Sequence, residues 1–176
     1  MPRRAAALPL ALAAALSLSA CASPAPTPSE SPSAATEAEA FAAAEATYRA
    51  YVDALNAVDL SDPATFEPVY AWTTGDANSG ARESFSQMHA DGWTVDGTSV
   101  VGSFSRLSPN EKGNVSLIAC LDVSSVTLTD LSGTSMVSPD RPAVQVVRVD
   151  TVVSPLSNTG MLISRLDGYE NGSVCN

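Results

Sequence analysis

The spacing of apolar residues changes period once along this chain, near Gly92. Upstream, at residues 36–58, Phe41, Ala44, Tyr48, Tyr51, Val52, Leu55 and Val58 recur at steps of three and four, the signature of a helix with one buried face. Thr36 and Glu39 have capping-box spacing, and the intervening alanines have the highest helix propensity. Asp62-Pro63 is a second helix start, and Pro68 limits that segment to one or two turns. Gly75, Asn78 and Gly80 mark a break, and residues 81–91 form a third short helix that stops at Gly92. Downstream the period is two. Residues 93–106 read as a strand bulged near Asp96-Gly97. In residues 114–127, Val115, Leu117, Ala119, Leu121 and Val123 share one face. Residues 142–153 are rich in β-branched valine, and 160–167 make a last strand. Helices first and strands after predict an α+β domain over residues 36–176, with N-terminal helices packed on an antiparallel sheet of about four strands.

The first twenty residues have a different character. MPRR supplies positive charge, residues 5–18 are apolar, and LSAC follows at 18–21. The apolar run is shorter than the roughly 20 residues a membrane span needs. It is the length of a signal peptide. LSAC, from Leu18 to Cys21, resembles the lipobox of bacterial lipoproteins. That resemblance implies a signal peptide at 1–20, cleavage before Cys21, and lipid on the Cys21 thiol; an ordinary secretory leader is the other reading. Residues 21–35 then hold four prolines and no large apolar side chain, the composition of an extended tether. The expected location is the extracytoplasmic face of the cell membrane, held there by two acyl chains.

Nine basic residues stand against nineteen acidic ones, a net charge of −10. Such a balance repels phosphate backbones, so no nucleic acid partner is expected. It disfavours anionic lipid surfaces as well, leaving the anchor to provide membrane association. With Cys21 assigned to lipid, Cys120 and Cys175 are an even pair in an oxidising compartment and are expected to form a disulfide. Two buried free thiols are the alternative.

Signals for chemistry are sparse. His89 is the one histidine, so no zinc or copper site is expected. The chain lacks a calcium loop, a phosphate loop and a serine elbow, and no cofactor is expected. His89 could pair with Asp150 as an acid–base dyad, or be a surface histidine near a helix C-terminus. Arg148, Asp150, Arg165 and Asp167 fall at alternate positions of two strands, which suits a charged ladder or a set of polar pocket groups. Tyr48, Trp72, Phe85, Trp93 and Phe104 are candidates to line a pocket, or ordinary core aromatics.

The order of elements, with DGW at 91–93, CLDVS at 120–124 and SPDRPAVQVVRV at 138–149, resembles the nuclear transport factor 2-like fold. It is similar to a group of small actinobacterial lipoproteins with that cone-shaped domain. The resemblance implies a curved sheet around a pocket closed by the first helix. It carries over no catalytic residue, because the fold hosts isomerases, dehydratases, cyclases and binding modules alike. The expected function is a non-enzymatic domain that binds a small apolar ligand or a protein partner. The alternatives are an acid–base enzyme of the isomerase or dehydratase kind, and a structural envelope homodimer joined through the sheet. A binder predicts an apolar cavity, an enzyme a perturbed Asp or His at a cavity floor, and a dimer a filled cavity with an apolar outer face.

Overall fold

A computed structural model describes residues 34–109, 113–170 and 172–175. The expected signal peptide, Cys21 and nearly all of the expected tether lie outside the described residues. Helix α1 spans Ala34–Leu55. It starts two residues before the expected point, so Thr36 lies inside it rather than at its cap; Ala34 and Ala35 extend the helix at no cost in propensity. Its end comes earlier than Val58. Ala57 N bonds to Ala54 O and Val58 N to Leu55 O, three-residue turns that unwind the helix. The side chain of Asn56 leaves to hold Ser99 instead: Nδ2 donates to Ser99 O at 2.9 Å, and Ser99 N donates to Oδ1 at 2.8 Å.

Asp62 caps a 3-10 turn at Pro63–Phe66, with Oδ1 accepting from Ala64 N at 3.0 Å. Helix α2, Glu67–Tyr70, continues from it. Helix α3 runs Gly75–Ala90, six residues longer at its start than the pattern implied. Residues that read as a break are absorbed because tertiary contacts fix the start. Thr74 N donates to Ile163 O at 2.8 Å. Asn78 Nδ2 reaches back to Tyr70 O at 3.1 Å and Thr73 Oγ1 at 2.9 Å. The end of α3 matches the expectation: Gly92 has φ +68°, Gly92 N bonds to His89 O, and Trp93 N bonds to Met88 O. These are the two bonds of a Schellman motif.

The main sheet contains β2 (Val100–Pro109), β3 (Val115–Asp122), β5 (Val144–Val153) and β6 (Met161–Gly168), all antiparallel in the order β2-β3-β5-β6. A separate ribbon pairs β1 (Thr94–Asp96) with β4 (Thr127–Thr129). The single bulged strand expected at 93–106 is therefore two strands in two sheets, and the strand at 114–127 is split in the same way. Gly97 makes the first break. It has φ +86°, and a Cβ there would lie 2.1 Å from Ser125 O, so no other residue fits without moving backbone. Ser125 Oγ fastens the crossing by donating to Thr98 O at 2.8 Å.

Two apolar clusters hold these layers together. In the first, Ala44, Tyr48 and Val52 of α1, spaced by four, lie on Val115, Leu117, Ala119, Leu121, Val149 and Ile163 of the sheet. The alternating face of β3 read from sequence is the face that α1 covers. The other face of β3 is buried too, with Ile118 and Ser116 both at 2 % exposure or less. Cys120, on that face, is joined to Cys175 of the C-terminal 3-10 turn Gly172–Cys175. The loop so closed has a sequence separation of 55, worth about 4 kcal/mol in the chain-entropy model. The second cluster, Leu60, Phe66, Val69, Tyr70 and Phe85, packs the end of α1 against α2 and α3.

Leu117 and Ile163 are fully buried where α1 meets the sheet. Leu117→Ala or Ile163→Ala is expected to cost about 2–5 kcal/mol, read from urea denaturation with the disulfide intact. An exposed position such as Ser86 changed to Ala should stay within about 0.5 kcal/mol of the parent.

Candidate functional site

The space between the sheet and α1, where the resemblance placed a pocket, is occupied. Tyr48, Leu117, Val149 and Ile163 are each at most 1 % exposed there. A cavity of about 210 Å³ lies instead beyond the C-terminal end of α1. One wall is the unwinding end of that helix, with Leu55, Val58 and Leu60. A second is α3, with Phe85 and Met88. The third comes from the ribbon and its connections, with Val95, Val126 and Leu128.

Each wall follows from local sequence. Phe85 is held as the floor by stacking on Phe66, ring centroids 5.1 Å apart at 28°. Met88 sits one turn further along α3, and its unbranched thioether adapts to irregular space. The ribbon closes the site because the Gly97 turn lifts β1 away from the main sheet. The polar lining is occupied: the carboxamide of Asn56 is satisfied at both ends by Ser99 backbone. Among the described residues no charged side chain lines the cavity. Such a lining can exclude water and take up apolar surface, but it offers no group to move a proton.

The five aromatic candidates do not converge. Phe85 alone lines the cavity. Trp93 packs half-buried against the second cluster. Tyr48 and Phe104 meet edge to face at 6.0 Å in the first cluster, where Arg49 lies over the Phe104 ring. Trp72 is half-buried and uses its carbonyl to accept from Ile163 N at 3.0 Å. Burial, with the nearby Tyr51 adding to it, pushes the Tyr48 phenol well above its ordinary range. Burial raises Tyr51 as well, so both hydroxyls stay protonated at neutral pH.

His89 and Asp150 are not brought together. His89, in the last turn of α3, shares a 2.7 Å hydrogen bond between Nδ1 and Leu60 O and sets its ring edge against Phe66. Asp150 is on the sheet, bonded to Ser116 Oγ and paired with Arg148 at 3.1 Å. The four charged strand residues lie together on the sheet, but their ion pairs run along the strands rather than across them. Register sets Arg148 opposite Asp167 and Asp150 opposite Arg165, yet each arginine pairs with the aspartate two residues on in its own strand. Carboxylates with shifted pKa are elsewhere, in two loops and at the end of β3. Hydrogen bonds from Ser61, Ser124 and Ser132 hold Asp59, Asp122 and Asp130 respectively below the usual range. Among the described residues no group of three or more His, Cys, Asp or Glu is arranged to hold a metal ion, and no helix is long and apolar enough to cross a membrane.

The remaining wall residues were hidden from sequence reasoning. Leu55 and Val58 read as part of the α1 stripe, but no local signal joins them or Met88 to Val95 and Leu128. The one usable clue was Asp96-Gly97, whose glycine marks the place where the strand leaves the sheet.

No protein-family model and no curated protein matches the chain. Among solved structures it is similar to the intermembrane-space region of the chloroplast protein ARC6, at 15 % identity over 71 % of this chain and 92 % of that one, with a TM-score of 0.43. It is also similar to the periplasmic domain of DotI, at 16 % identity over 80 % of this chain and 98 % of that one, again with a TM-score of 0.43. Likeness at this level assigns neither a family nor a function.

Gly97→Ala is expected to cost at least about 1–3 kcal/mol, because a Cβ must enter left-handed backbone against Ser125 O. Denaturation measures the loss, and amide exchange should locate it in β1 and β4. Unchanged protection in the ribbon would remove Gly97 from its assigned role.

Proposed function

We propose that this chain is a lipid-anchored extracytoplasmic binding protein whose domain takes a small apolar molecule beneath the β1–β4 ribbon. The observation that carries the ligand class is the lining of the 210 Å³ cavity, which among the described residues holds Phe85, Met88 and aliphatic side chains beside Asn56 and Ser99, and no charge. A cavity of about 150 Å³ lined by leucine, isoleucine and phenylalanine alone stays dry and holds benzene. The site therefore suits a single substituted ring or a short branched hydrocarbon. Anchor and compartment rest on LSAC at 18–21, and the Cys120–Cys175 bond is in keeping with an oxidising environment. The nuclear transport factor 2-like family is proposed from the order of elements and the three sequence strings. An acid–base enzyme would need an ionisable group on the cavity wall, and the lining supports binding instead.

Toluene titrated into protein labelled at methionine methyls should shift the Met88 signal in a saturable way. Val126→Phe, which fills the cavity from its ribbon side, should remove that shift while the protein still melts cooperatively. A Met88 signal indifferent to toluene would end the ligand proposal. The anchor has its own test. Palmitate fed to the producing cells should label the wild type and not Cys21→Ser, and an unlabelled wild type would refute lipidation.

A further inference from the structure

The Ser99 hydroxyl is the exception to the occupied polar lining of the cavity. The backbone of Ser99 is fixed at both groups: its N–H donates to Asn56 Oδ1 at 2.8 Å, and its carbonyl accepts from Asn56 Nδ2 at 2.9 Å. The residue before it is held as well. Thr98 N donates to Ser125 Oγ at 3.2 Å, and Thr98 O accepts from the same hydroxyl at 2.8 Å. Ser99 keeps only 9 % of its surface, yet its Oγ makes no hydrogen bond among the described residues. No sealed side-chain oxygen or nitrogen among those residues lacks a partner. A hydroxyl without one therefore opens onto accessible space, and the space that Ser99 lines is the cavity.

Asn56 lines the same space. Its side-chain nitrogen carries two hydrogens, and among the described residues only Ser99 O accepts from it. Because that nitrogen is bonded to Ser99 itself, its second N–H and the Ser99 hydroxyl are neighbours. Two donors thus stand together in a wall whose other side chains are apolar. An apolar body that covers them unmatched forfeits their hydration, whereas one that offers an acceptor oxygen replaces it.

We infer that the ligand of this cavity is an apolar body bearing one carbonyl oxygen, a small aryl or branched-chain ketone, and that Ser99 selects for the oxygen. The inference rests on the reading of the cavity as a site for small apolar molecules. The Ser99 hydroxyl donates to the ligand oxygen, with the second Asn56 N–H beside it. Backbone held at Thr98 and Ser99 sets the hydroxyl in place before the ligand arrives, so little freedom is lost on binding. A carboxylate would find no cation on the wall among the described residues, so the oxygen is neutral.

The test uses the full chain in detergent and two probes of one shape: acetophenone, and α-methylstyrene, which has a methylene in place of the oxygen. Partition into micelles is common to wild type and variant and cancels when they are compared. Binding is followed at the Met88 methyl. Ser99→Ala should weaken acetophenone by at least about fivefold, the loss of one hydrogen bond, and should not weaken α-methylstyrene. A second reading needs no variant: the infrared carbonyl band of bound acetophenone should lie below its position in hexane. Equal effects of Ser99→Ala on the two probes would overturn the inference and leave the apolar site standing, as would a carbonyl band at the hexane position. Failure of both probes to bind the wild type would instead overturn the apolar site, and this inference with it.

Discussion

The turn at Gly97 is the constraint on which the site depends. Two stretches, 93–109 and 115–129, would extend the main sheet if nothing interrupted them. The backbone instead crosses at Gly97 and Ser125 so closely that a Cβ would stand 2.1 Å from a carbonyl oxygen. The crossing sends β1 and β4 out of the sheet as a three-pair ribbon. A two-stranded ribbon is marginal alone, so it must lie on something apolar. It lies over the end of α1 and over α3, and it covers them without filling the space beneath. The cavity follows from a strand break and the poor fit of a small ribbon on two helix ends.

The rest of the fold is better packed. α1 presents a four-residue repeat of buried side chains to a sheet whose central strand is buried on both faces. Central strands of that kind exclude water from the ladder and give the disulfide at Cys120 a rigid base. The cavity proposed for binding therefore sits at the margin of a stiff core, under the ribbon.

Legibility in the sequence divides along the same line. The α1 stripe from Phe41 to Leu55, the alternation from Val115 to Leu121 and the Gly92 stop are local, since each is set by residues within a turn or two, and the structure has them as read. The start of α3 was not local. Gly75, Asn78 and Gly80 look like a break until Thr74 bonds to Ile163 and Asn78 to Tyr70, partners that no local pattern reveals. The site was the least legible part. Its walls come from 55–60, 85–88, 95–99 and 126–128, and only the crossing at Gly97 brings them together. Aromatic residues were a poor guide to it: Tyr48 and Phe104 serve the main core, while aliphatic residues supply most of the lining.

A crystal held under xenon pressure tests the account most directly, because xenon enters dry apolar cavities and ignores polar grooves. The account gives one strong xenon peak bounded by Leu55, Phe85, Met88 and Leu128, lost in Val126→Phe. A water-filled or collapsed space at that place, with β1 and β4 continuing the main sheet, would contradict it.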